Sequence, residues 1–475
     1  MAPPLSPGAQ IERQATLDHG PLLPLLPPKP ISRPLPPLPP RSPAPPVLPG
    51  WSCDTFTLPA AFLRTYKGST KRPGEPRRSL PQPGPDGRID GKEAFKALVE
   101  PQVEGFKQTV TVDDEEELER QEQLLVVVNR YRPERKRREE DGQGLTLVFS
   151  HANGFYKEVW EPTLSAVLAQ LEADDNSLPV DEVWAWDCIN QGDAAVLNRD
   201  VLGDVFNWAD HGRDLLNLII SYIDSPSLPT SSSLAPLSPA ANVPASFLTL
   251  DNTSQPAGPS SPTSRTYRSR LIVGIGHSLG GGATAYAATA VPSLFSSVIF
   301  VDPVLPQPDI DSRTMEALST GALIRKEKWK TREEALESFA KKPFFQAWDK
   351  SVLEGYVAHG LKDVEGGVAL KCTARDEALT FCDPMAIAAR RATTRLSTLP
   401  SALPVHFLFA DQSRSVLAEP QIQHLLQKAV PHATHSRVKG AGHLVVHEKP
   451  DETGRLIARF LQETYPKKRA TGAKL

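Results

Sequence analysis

The pentapeptide GHSLG, from Gly276 to Gly280, contains Ser278, whose hydroxyl is the candidate nucleophile of the chain. An apolar segment, RLIVGI, precedes the pentapeptide, and a segment of small residues, LGGGATAYAATA, follows the serine. This order is typical of a buried strand, a sharp turn and a helix, which together lift a serine hydroxyl above the end of a sheet. A GxSxG pattern alone occurs by chance in roughly one of six chains of this length. The prediction that Ser278 is a nucleophile, and not an idle serine in a glycine-rich turn, therefore rests on the strand before it and the helix after it.

A serine hydroxyl needs a general base at neutral pH, and the base needs a carboxylate that orients it. His443 follows the last predicted strand and is the candidate base, whereas His447 is expected to orient its loop or to face solvent. Asp302 and Asp411 compete for the role of the acid, because each ends a predicted strand. The acid usually lies two residues beyond Asp411, where this chain has Ser413, and a serine cannot carry the counter-charge. We therefore predict Asp302 as the acid and keep Asp411 as the alternative.

Two backbone N–H groups must stabilise the oxyanion that forms when the serine attacks a carbonyl carbon. The first predicted donor is Leu279, which follows the nucleophile and begins the helix. The second should come from HANGF, residues 151–155, which follows the predicted strand LTLVFS. We predict the N–H of Phe155 as this donor, with Asn153 as the alternative. A plain Asn-Gly turn without a catalytic role is the competing interpretation.

Strands and helices alternate along most of the chain, which predicts an α/β protein with a mostly parallel sheet and crossover helices. Two strands, FTLPAAFLRTY and QLLVVVNRY, are expected before LTLVFS, joined by a polar loop with an acidic run. The expected organisation is a disordered proline-rich tail (1–50), a first part of the core (51–303) with a disordered Ser/Pro-rich insertion (224–268), an inserted helical cap (304–396), a second part of the core (397–466) and a C-terminal tail (467–475).

The composition excludes several classes of protein. The formal net charge of the 475 residues is −3 at pH 7, so no basic surface for nucleic acid is expected. The four cysteines lie far apart without metal-ligand spacing, which is typical of reduced thiols in an intracellular protein. No apolar run reaches the roughly 18 residues of a membrane span. The sequence contains no metal-ligand constellation and no phosphate-binding loop, so no cofactor is expected.

Two segments suggest macromolecular partners. The string RPLPPLPPR, from Arg33 to Arg41, fits the PxxP ligand of an SH3-type domain, although a solvated tail is the favoured interpretation. The sequence ends in Ala473, Lys474 and Leu475, which differs from the peroxisomal signal SKL by one small residue. We therefore expect a peroxisomal import receptor as a partner and the peroxisomal matrix as the location.

Five segments together resemble the fungal peroxisomal α/β-hydrolases: HANGFYKEVWEP, GHSLGGG, FVDPVL, KPFFQAWD and AGHLVVHEKP. That group includes an acyl-CoA hydrolase of mycophenolic acid biosynthesis, hydrolases of toxin biosynthesis and a peroxisomal lipase. The resemblance spans roughly residues 51–465 with interruptions. It implies an α/β-hydrolase fold with a helical cap over an acyl pocket, and the acid at Asp302, on the strand after the nucleophile helix.

The activity that the resemblance implies is hydrolysis of an acyl thioester or ester. An acyl-CoA is the first expected substrate, and a carboxylester or lipid ester is the alternative. A non-catalytic binding protein on a hydrolase fold is the alternative of another class, suggested by the SH3-like segment and the long insertion.

Overall fold

The computed structural model describes residues 23–38, 48–81, 89–135, 143–174, 176–223, 232–233, 235–240, 270–305, 312–383, 392–411 and 420–466. The predicted targeting tripeptide, Ala473 to Leu475, lies outside the described residues. Arg41, Ser413 and most of the expected insertion at 224–268 lie outside them too.

One sheet forms the centre of the fold. It contains β1 (Trp51–Pro59), β2 (Leu125–Pro133), β3 (Leu145–Ser150), β4 (Val180–Trp186), β5 (Leu271–His277), β6 (Ser297–Val301), β10 (Val405–Ala410) and β11 (Thr434–Val438). The spatial order is β1-β2-β4-β3-β5-β6-β10-β11. The pairs β1–β2 and β2–β4 are antiparallel, and the other neighbours are parallel. The prediction of a mostly parallel sheet is thus confirmed.

The strands beside the predicted nucleophile are buried on both faces, which explains their continuous apolar sequences. Every residue of β3, β6 and β10 is buried. Because side chains alternate along a strand, Val148 joins one apolar cluster while Leu147 and Phe149 join the other. The sheet therefore separates two cores, and helices cover both.

The helices around the sheet begin and end as follows: α1 (Gly91–Lys107), α2 (Glu115–Arg120), α3 (Glu161–Glu172), α4 (Gly192–Asn198), α5 (Trp208–Ser221), α6 (Leu279–Ala290), α12 (Pro420–Ala429), α13 (Val445–Glu448) and α14 (Pro450–Thr464). Helix α5 packs against α6, and α14 packs against α3. None of the helices in the described ranges has both the length and the apolar character needed to cross a membrane.

The connection between the first two strands differs from the expected polar loop, because it contains α1 and α2. Asp90 caps α1 by accepting hydrogen bonds from the N–H groups of Lys92 and Glu93. Asp114 caps α2 by accepting a hydrogen bond from the N–H of Glu117. The acidic run that suggested a loop thus supplies a cap and the first turn of a helix, where negative charge is favoured. Strand β1 also ends at Pro59, earlier than the expected strand FTLPAAFLRTY.

The segment between the two parts of the core contains helices and a small sheet. Its elements are α7 (Ser312–Leu323), β7 (Lys328–Trp329), α8 (Arg332–Ala340), α9 (Pro343–Gln346), α10 (Lys350–His359), β8 (Leu361–Val364), β9 (Gly367–Leu370) and α11 (Ala374–Phe381). Strands β8 and β9 form a hairpin that closes at Gly366, whose φ is +77°. Besides the helices expected for the cap, the segment contains a three-stranded antiparallel sheet, in the order β7-β9-β8, which the sequence analysis did not predict.

Residues 23–38, here called the proline strap, pack onto the domain, so the expected disorder over residues 1–50 does not hold for them. Leu25 is buried in one of the two cores, and the Leu23 carbonyl accepts a hydrogen bond from Arg213. Arg33, which begins the SH3-like string, is buried and donates from Nη1 to the Gln123 carbonyl at 2.9 Å. Leucines between the prolines supply apolar surface. Prolines have no N–H group and so cannot form a regular hydrogen-bond ladder, and side chains of the domain donate to the carbonyl groups of the strap instead.

Candidate active site

Ser278 lies in the sharp turn between β5 and α6, where its φ is +55°. Glycines are required on both sides because the backbone returns on itself. A Cβ atom on Gly276 would meet the carbonyl oxygen of Gly280, and a Cβ on Gly280 would meet the carbonyl oxygen of Ser150. The strained, close-packed turn explains why the sequence must read GxSxG here.

A chain of hydrogen bonds connects Ser278, His443 and Asp302, three of the residues predicted for the site. His443 Nε2 lies 2.8 Å from Ser278 Oγ, and His443 Nδ1 lies 2.7 Å from Asp302 Oδ2. Their elements explain how they meet: β5, β6 and β10 are parallel neighbours, so their C-terminal ends share one edge of the sheet. His443 reaches this edge from the loop between β11 and α13.

The environment of Asp302 keeps its carboxyl group ionised. Burial alone would raise its pKa, since Asp302 is only 3% exposed. The hydrogen bond and charge of His443, and the N–H of Ala410 at 2.9 Å from Oδ1, outweigh burial and lower the pKa below its ordinary value. A carboxylate held in this way fixes the tautomer of the imidazole and stabilises its protonated form.

Asp411, the alternative acid, braces the loop that leads to the histidine. Its Oδ2 accepts from the N–H of Gly440 at 2.8 Å, and its own N–H donates to the carbonyl of Ala441 at 3.0 Å. The structure therefore brings Asp302, and not Asp411, to the ring of His443. Asp411 instead supports the turn two residues before that histidine.

The HANGF segment forms a tight turn that changes the predicted oxyanion donor. The N–H of Phe155 donates to the carbonyl of Ala152 at 3.3 Å, and Gly154 between them has a φ of +84°. This is the geometry of a type II turn, which needs a glycine at its third position. Because the turn engages the N–H of Phe155, the preference for Phe155 over Asn153 is corrected. No described residue accepts a hydrogen bond from the backbone N–H of Asn153 or of Leu279.

Two residues that the sequence did not single out hold this turn in place. Gln191 accepts from the N–H of Gly154 at 3.0 Å and donates to Asn153 Oδ1 at 2.6 Å. The Asn153 amide in turn donates to the carbonyl of Glu377 at 3.1 Å. Glu377 lies on α11, so the cap contacts the turn directly. The sequence signal for Gln191 is its place in the polar stretch NQGD, residues 190–193, shortly after β4, but nothing in the sequence links α11 to the turn.

Phe155 has a different place, in an aromatic cluster between the turn, the cap and the histidine loop. Its ring centroid lies 4.0 Å from that of His447 and 5.5 Å from that of Trp348. The carbonyl of His447 accepts from the N–H of Asp349 in the cap at 2.7 Å. His447 is 0% exposed, so the expectation that it could face solvent is wrong. Burial lowers the pKa of His447 well below its ordinary value.

A buried ion cluster also ties the cap to the core. Lys157 Nζ lies 3.0 Å from Asp187 and 2.6 Å from Asp193, whose other oxygen lies 2.6 Å from Lys371 Nζ. Lys371 follows β9 of the cap, whereas the other three residues belong to the core. Asp187 also accepts from the backbone N–H groups of Lys157 and Asp193 at 2.8 Å each. These contacts give Asp187 a structural role.

The arrangement at the sheet edge can carry out nucleophilic acyl transfer. A serine hydroxyl contacts an imidazole, the imidazole contacts a buried carboxylate, and two backbone N–H groups without a described acceptor lie on the adjoining segments. Ser278 itself is only 7% exposed. A reaction here would therefore take place in a site largely shielded from water, in which hydrogen bonds to developing charge are strong.

Comparison with known proteins agrees with this fold. The model of the family described as "Alpha/beta hydrolase family" matches residues 147–456. The peroxisomal alpha-beta-hydrolase Lpx1 from Saccharomyces cerevisiae has a solved structure that superposes with a TM-score of 0.58 at 21% identity, covering 87% of this chain and 90% of that chain. This similarity shows a shared fold.

Two curated relatives are similar over part of their length. The "Peroxisomal membrane protein LPX1" of Saccharomyces cerevisiae is 33% identical over 172 residues, which are 36% of this chain and 34% of the relative. The "Type I acyl-CoA thioesterase mpaH" of Penicillium brevicompactum is 25% identical over 248 residues, 51% of this chain and 46% of the relative. The chain thus matches between a third and a half of each relative. Similarity to a peroxisomal protein supports a peroxisomal location for this chain. Because the family model matches more than half of the sequence, the chain belongs to the alpha/beta hydrolase family.

Proposed function

We propose that the protein is a serine hydrolase that cleaves an acyl thioester or ester through an acyl-enzyme. Ser278 is the nucleophile, His443 the general base and acid, and Asp302 the carboxylate that orients the imidazole. The observation that carries the proposal is the hydrogen-bond chain from buried Asp302 through His443 to Ser278, with lengths of 2.7 and 2.8 Å.

Acylation follows from this geometry. Ser278 Oγ attacks the carbonyl carbon of the substrate while His443 Nε2 accepts the hydroxyl proton. The oxygen of the tetrahedral intermediate becomes negatively charged, and the N–H groups of Leu279 and Asn153 stabilise it. Collapse of the intermediate breaks the bond to the leaving group, and the proton held by His443 passes to the departing thiolate or alkoxide.

Deacylation repeats the same steps with water. His443 accepts a proton from a water molecule, the hydroxide attacks the acyl-serine carbonyl, and the same N–H groups stabilise the second intermediate. The proton then returns from His443 to Ser278 Oγ, and the carboxylic acid leaves. Asp302 remains ionised throughout, which agrees with its lowered pKa.

An acyl-CoA is the proposed substrate, and hydrolysis of it in the peroxisomal matrix is the proposed activity. Support comes from a relative that is named an acyl-CoA thioesterase and another that is named a peroxisomal protein. A carboxylester or lipid ester is the second candidate, because the same residues cleave an oxygen ester by the same steps.

A substrate panel distinguishes the two. Purified protein is assayed with acyl-CoAs of short, medium and long chains, with p-nitrophenyl esters of the same acids and with glycerides, and Ser278→Ala serves as the matched control. We expect hydrolysis of at least one acyl-CoA that is lost in Ser278→Ala. Hydrolysis of oxygen esters alone would contradict the acyl-CoA proposal and favour an esterase. Absence of hydrolysis across the panel would contradict the enzymatic function.

A further inference from the structure

His277, the residue before the predicted nucleophile, contacts the loop of the predicted base. Its Nε2 atom lies 2.9 Å from the backbone carbonyl oxygen of His443. A carbonyl oxygen can only accept, so the proton of this bond belongs to His277 Nε2. The bond therefore joins the nucleophile turn and the histidine loop by their own residues, independently of the contact between Ser278 and the imidazole.

The surroundings of His277 keep it in the form that makes this bond. The side chain is 1% exposed, and its ring lies edge-on to Trp160 with centroids 6.3 Å apart. The rings of His443 and His447 lie 5.5 and 6.0 Å away. Burial, and next the proximity of His443, lower the pKa of His277 to about 3. At neutral pH the ring is therefore uncharged, carries a single proton and offers one donor.

The bond acts at the point where the histidine loop needs support. His443 has no place in a strand or helix, since it lies between β11 and α13. Asp302 holds the ring of His443 from one side at 2.7 Å, but that bond fixes the ring and not the backbone from which it projects. The bond from His277 restrains that backbone relative to β5, whose end carries Ser278. The distance between Ser278 Oγ and His443 Nε2 is then set by β5 and the histidine loop, which the bond from His277 holds together.

We infer that His277 is a positioning residue of the proposed reaction, whose Nε2–H holds the main chain of His443 so that its ring stays within reach of Ser278. The inference rests on the proposed function of the Ser278 site. It assigns to the second residue of GHSLG a role beyond packing, one that requires a donor at the position of Nε2.

Three substitutions at His277 separate hydrogen bonding from packing. Glutamine in His277→Gln can donate from about the position of Nε2, whereas the shorter amide of His277→Asn stops near that of Nδ1. His277→Leu keeps apolar volume without a donor. Displacement of a catalytic group by about 1 Å can cost roughly 10²-fold in rate. We therefore expect kcat for the best substrate of the panel to fall about 10²-fold in His277→Leu and His277→Asn, and to stay within about threefold of the unsubstituted protein in His277→Gln, with KM changed little in all three.

His406→Leu provides the matched control. His406 is also buried, and its ring nitrogens contact Thr434 and Ser436 at 2.8 Å, at the end of β10 away from Ser278. This variant should lower the thermal midpoint without lowering kcat. An equal loss of kcat in His406→Leu would show an effect of stability and overturn the inference. Equal kcat values in His277→Gln and His277→Asn would overturn it too, and that comparison remains decisive where His277→Leu does not fold.

The outcome for Ser278→Ala keeps this inference distinct from the proposed function. Retained hydrolysis by Ser278→Ala would contradict the function itself. Loss of hydrolysis in Ser278→Ala together with unchanged kcat in His277→Leu would leave the function standing and reject the role of His277.

Discussion

At the scale of single residues, the position of Asp302 is what separates it from Asp411, the other candidate acid. It follows β6, the immediate neighbour of the strand that carries Ser278. Its backbone is held as firmly as its side chain, since its N–H donates to the Leu408 carbonyl at 2.7 Å while Oδ1 accepts from Ala410. The carboxylate is thus fixed from β10 and directs its second oxygen towards His443. Asp411, one residue beyond β10, supports a backbone turn instead.

This difference predicts opposite effects for two isosteric substitutions. Asp302→Asn should lower kcat by about 10⁴-fold, because an amide does not stabilise the protonated imidazole and favours the wrong tautomer. Asp411→Asn should change kcat by less than about tenfold, since its side-chain oxygen can still accept from Gly440. Steady-state hydrolysis of the best substrate of the panel gives both values. A larger loss in Asp411→Asn than in Asp302→Asn would show that the acid has been assigned to the wrong residue.

The sequence predicted which side chains meet at the sheet edge better than which backbone N–H groups are left available beside them. Ser278, His443 and Asp302 could be found because their residue types and their places at strand ends follow from patterns along the chain. The engagement of the Phe155 N–H depends on whether Asn153 and Gly154 close a type II turn, and residue types alone do not decide which amide such a turn leaves available. The bond from His277 escaped prediction for a similar reason, since it joins residues 166 positions apart.

At the scale of elements, the cap is attached to the core by buried polar contacts as well as by aromatic packing. Lys371, after β9, is paired with Asp193 at the start of α4, and both side chains are nearly inaccessible to solvent. Asp193 is also paired with Lys157, so both lysines balance its buried negative charge. A buried carboxylate that loses one partner leaves charge that water cannot reach, and the native state is destabilised.

Lys371→Met should therefore lower the free energy of unfolding by about 3 kcal/mol, since methionine keeps the apolar stem but removes the charge. Lys326→Met, in the same cap, is the matched control. Lys326 pairs with Glu334 at 2.9 Å, but both side chains are exposed, and such pairs contribute at most about 1 kcal/mol. Urea denaturation of both variants measures the two changes. Equal stabilities would mean that the buried pair does not hold the cap.

The elements that sequence patterns did not predict lie where the local signal is ambiguous or very short. Helices α1 and α2 lie in a polar region whose composition favours a loop, although Asp90 and Asp114 cap the helices there. Strands β7 to β9 are two to four residues long, so alternation within them was too short to detect. The core strands are predictable from continuous apolar runs such as LTLVFS and VHFLFA, and the longer core helices from amphipathic patterns over many residues.

At the scale of the whole molecule, the proline strap is part of the folded domain. Leu25 is 4% exposed and lies in the same core cluster as β1 and α5. Leu26 pairs with Phe62 through its backbone at 2.9 Å. The many prolines of this region predict disorder, but a few buried leucines are enough to bind an extended segment to the domain.

Leu25→Ala tests whether the proline strap contributes to folding. Loss of a buried leucine side chain typically costs about 2–5 kcal/mol, so the midpoint of urea denaturation should fall clearly. Leu318→Ala is the control, because Leu318 is 41% exposed and its removal should change stability by no more than about 0.5 kcal/mol. If Leu25→Ala unfolds at the same urea concentration as the unsubstituted protein, the strap adds nothing to the stability of the domain.

Covalent labelling of Ser278 tests directly whether this serine is the nucleophile. An alkyl fluorophosphonate reacts with a serine that a neighbouring base activates, and intact-mass spectrometry followed by peptide mapping locates the adduct. We predict one adduct, on Ser278, that is absent from Ser278→Ala and forms at least about 10²-fold more slowly in His443→Ala. An unlabelled protein, or an adduct that persists in Ser278→Ala, would contradict it.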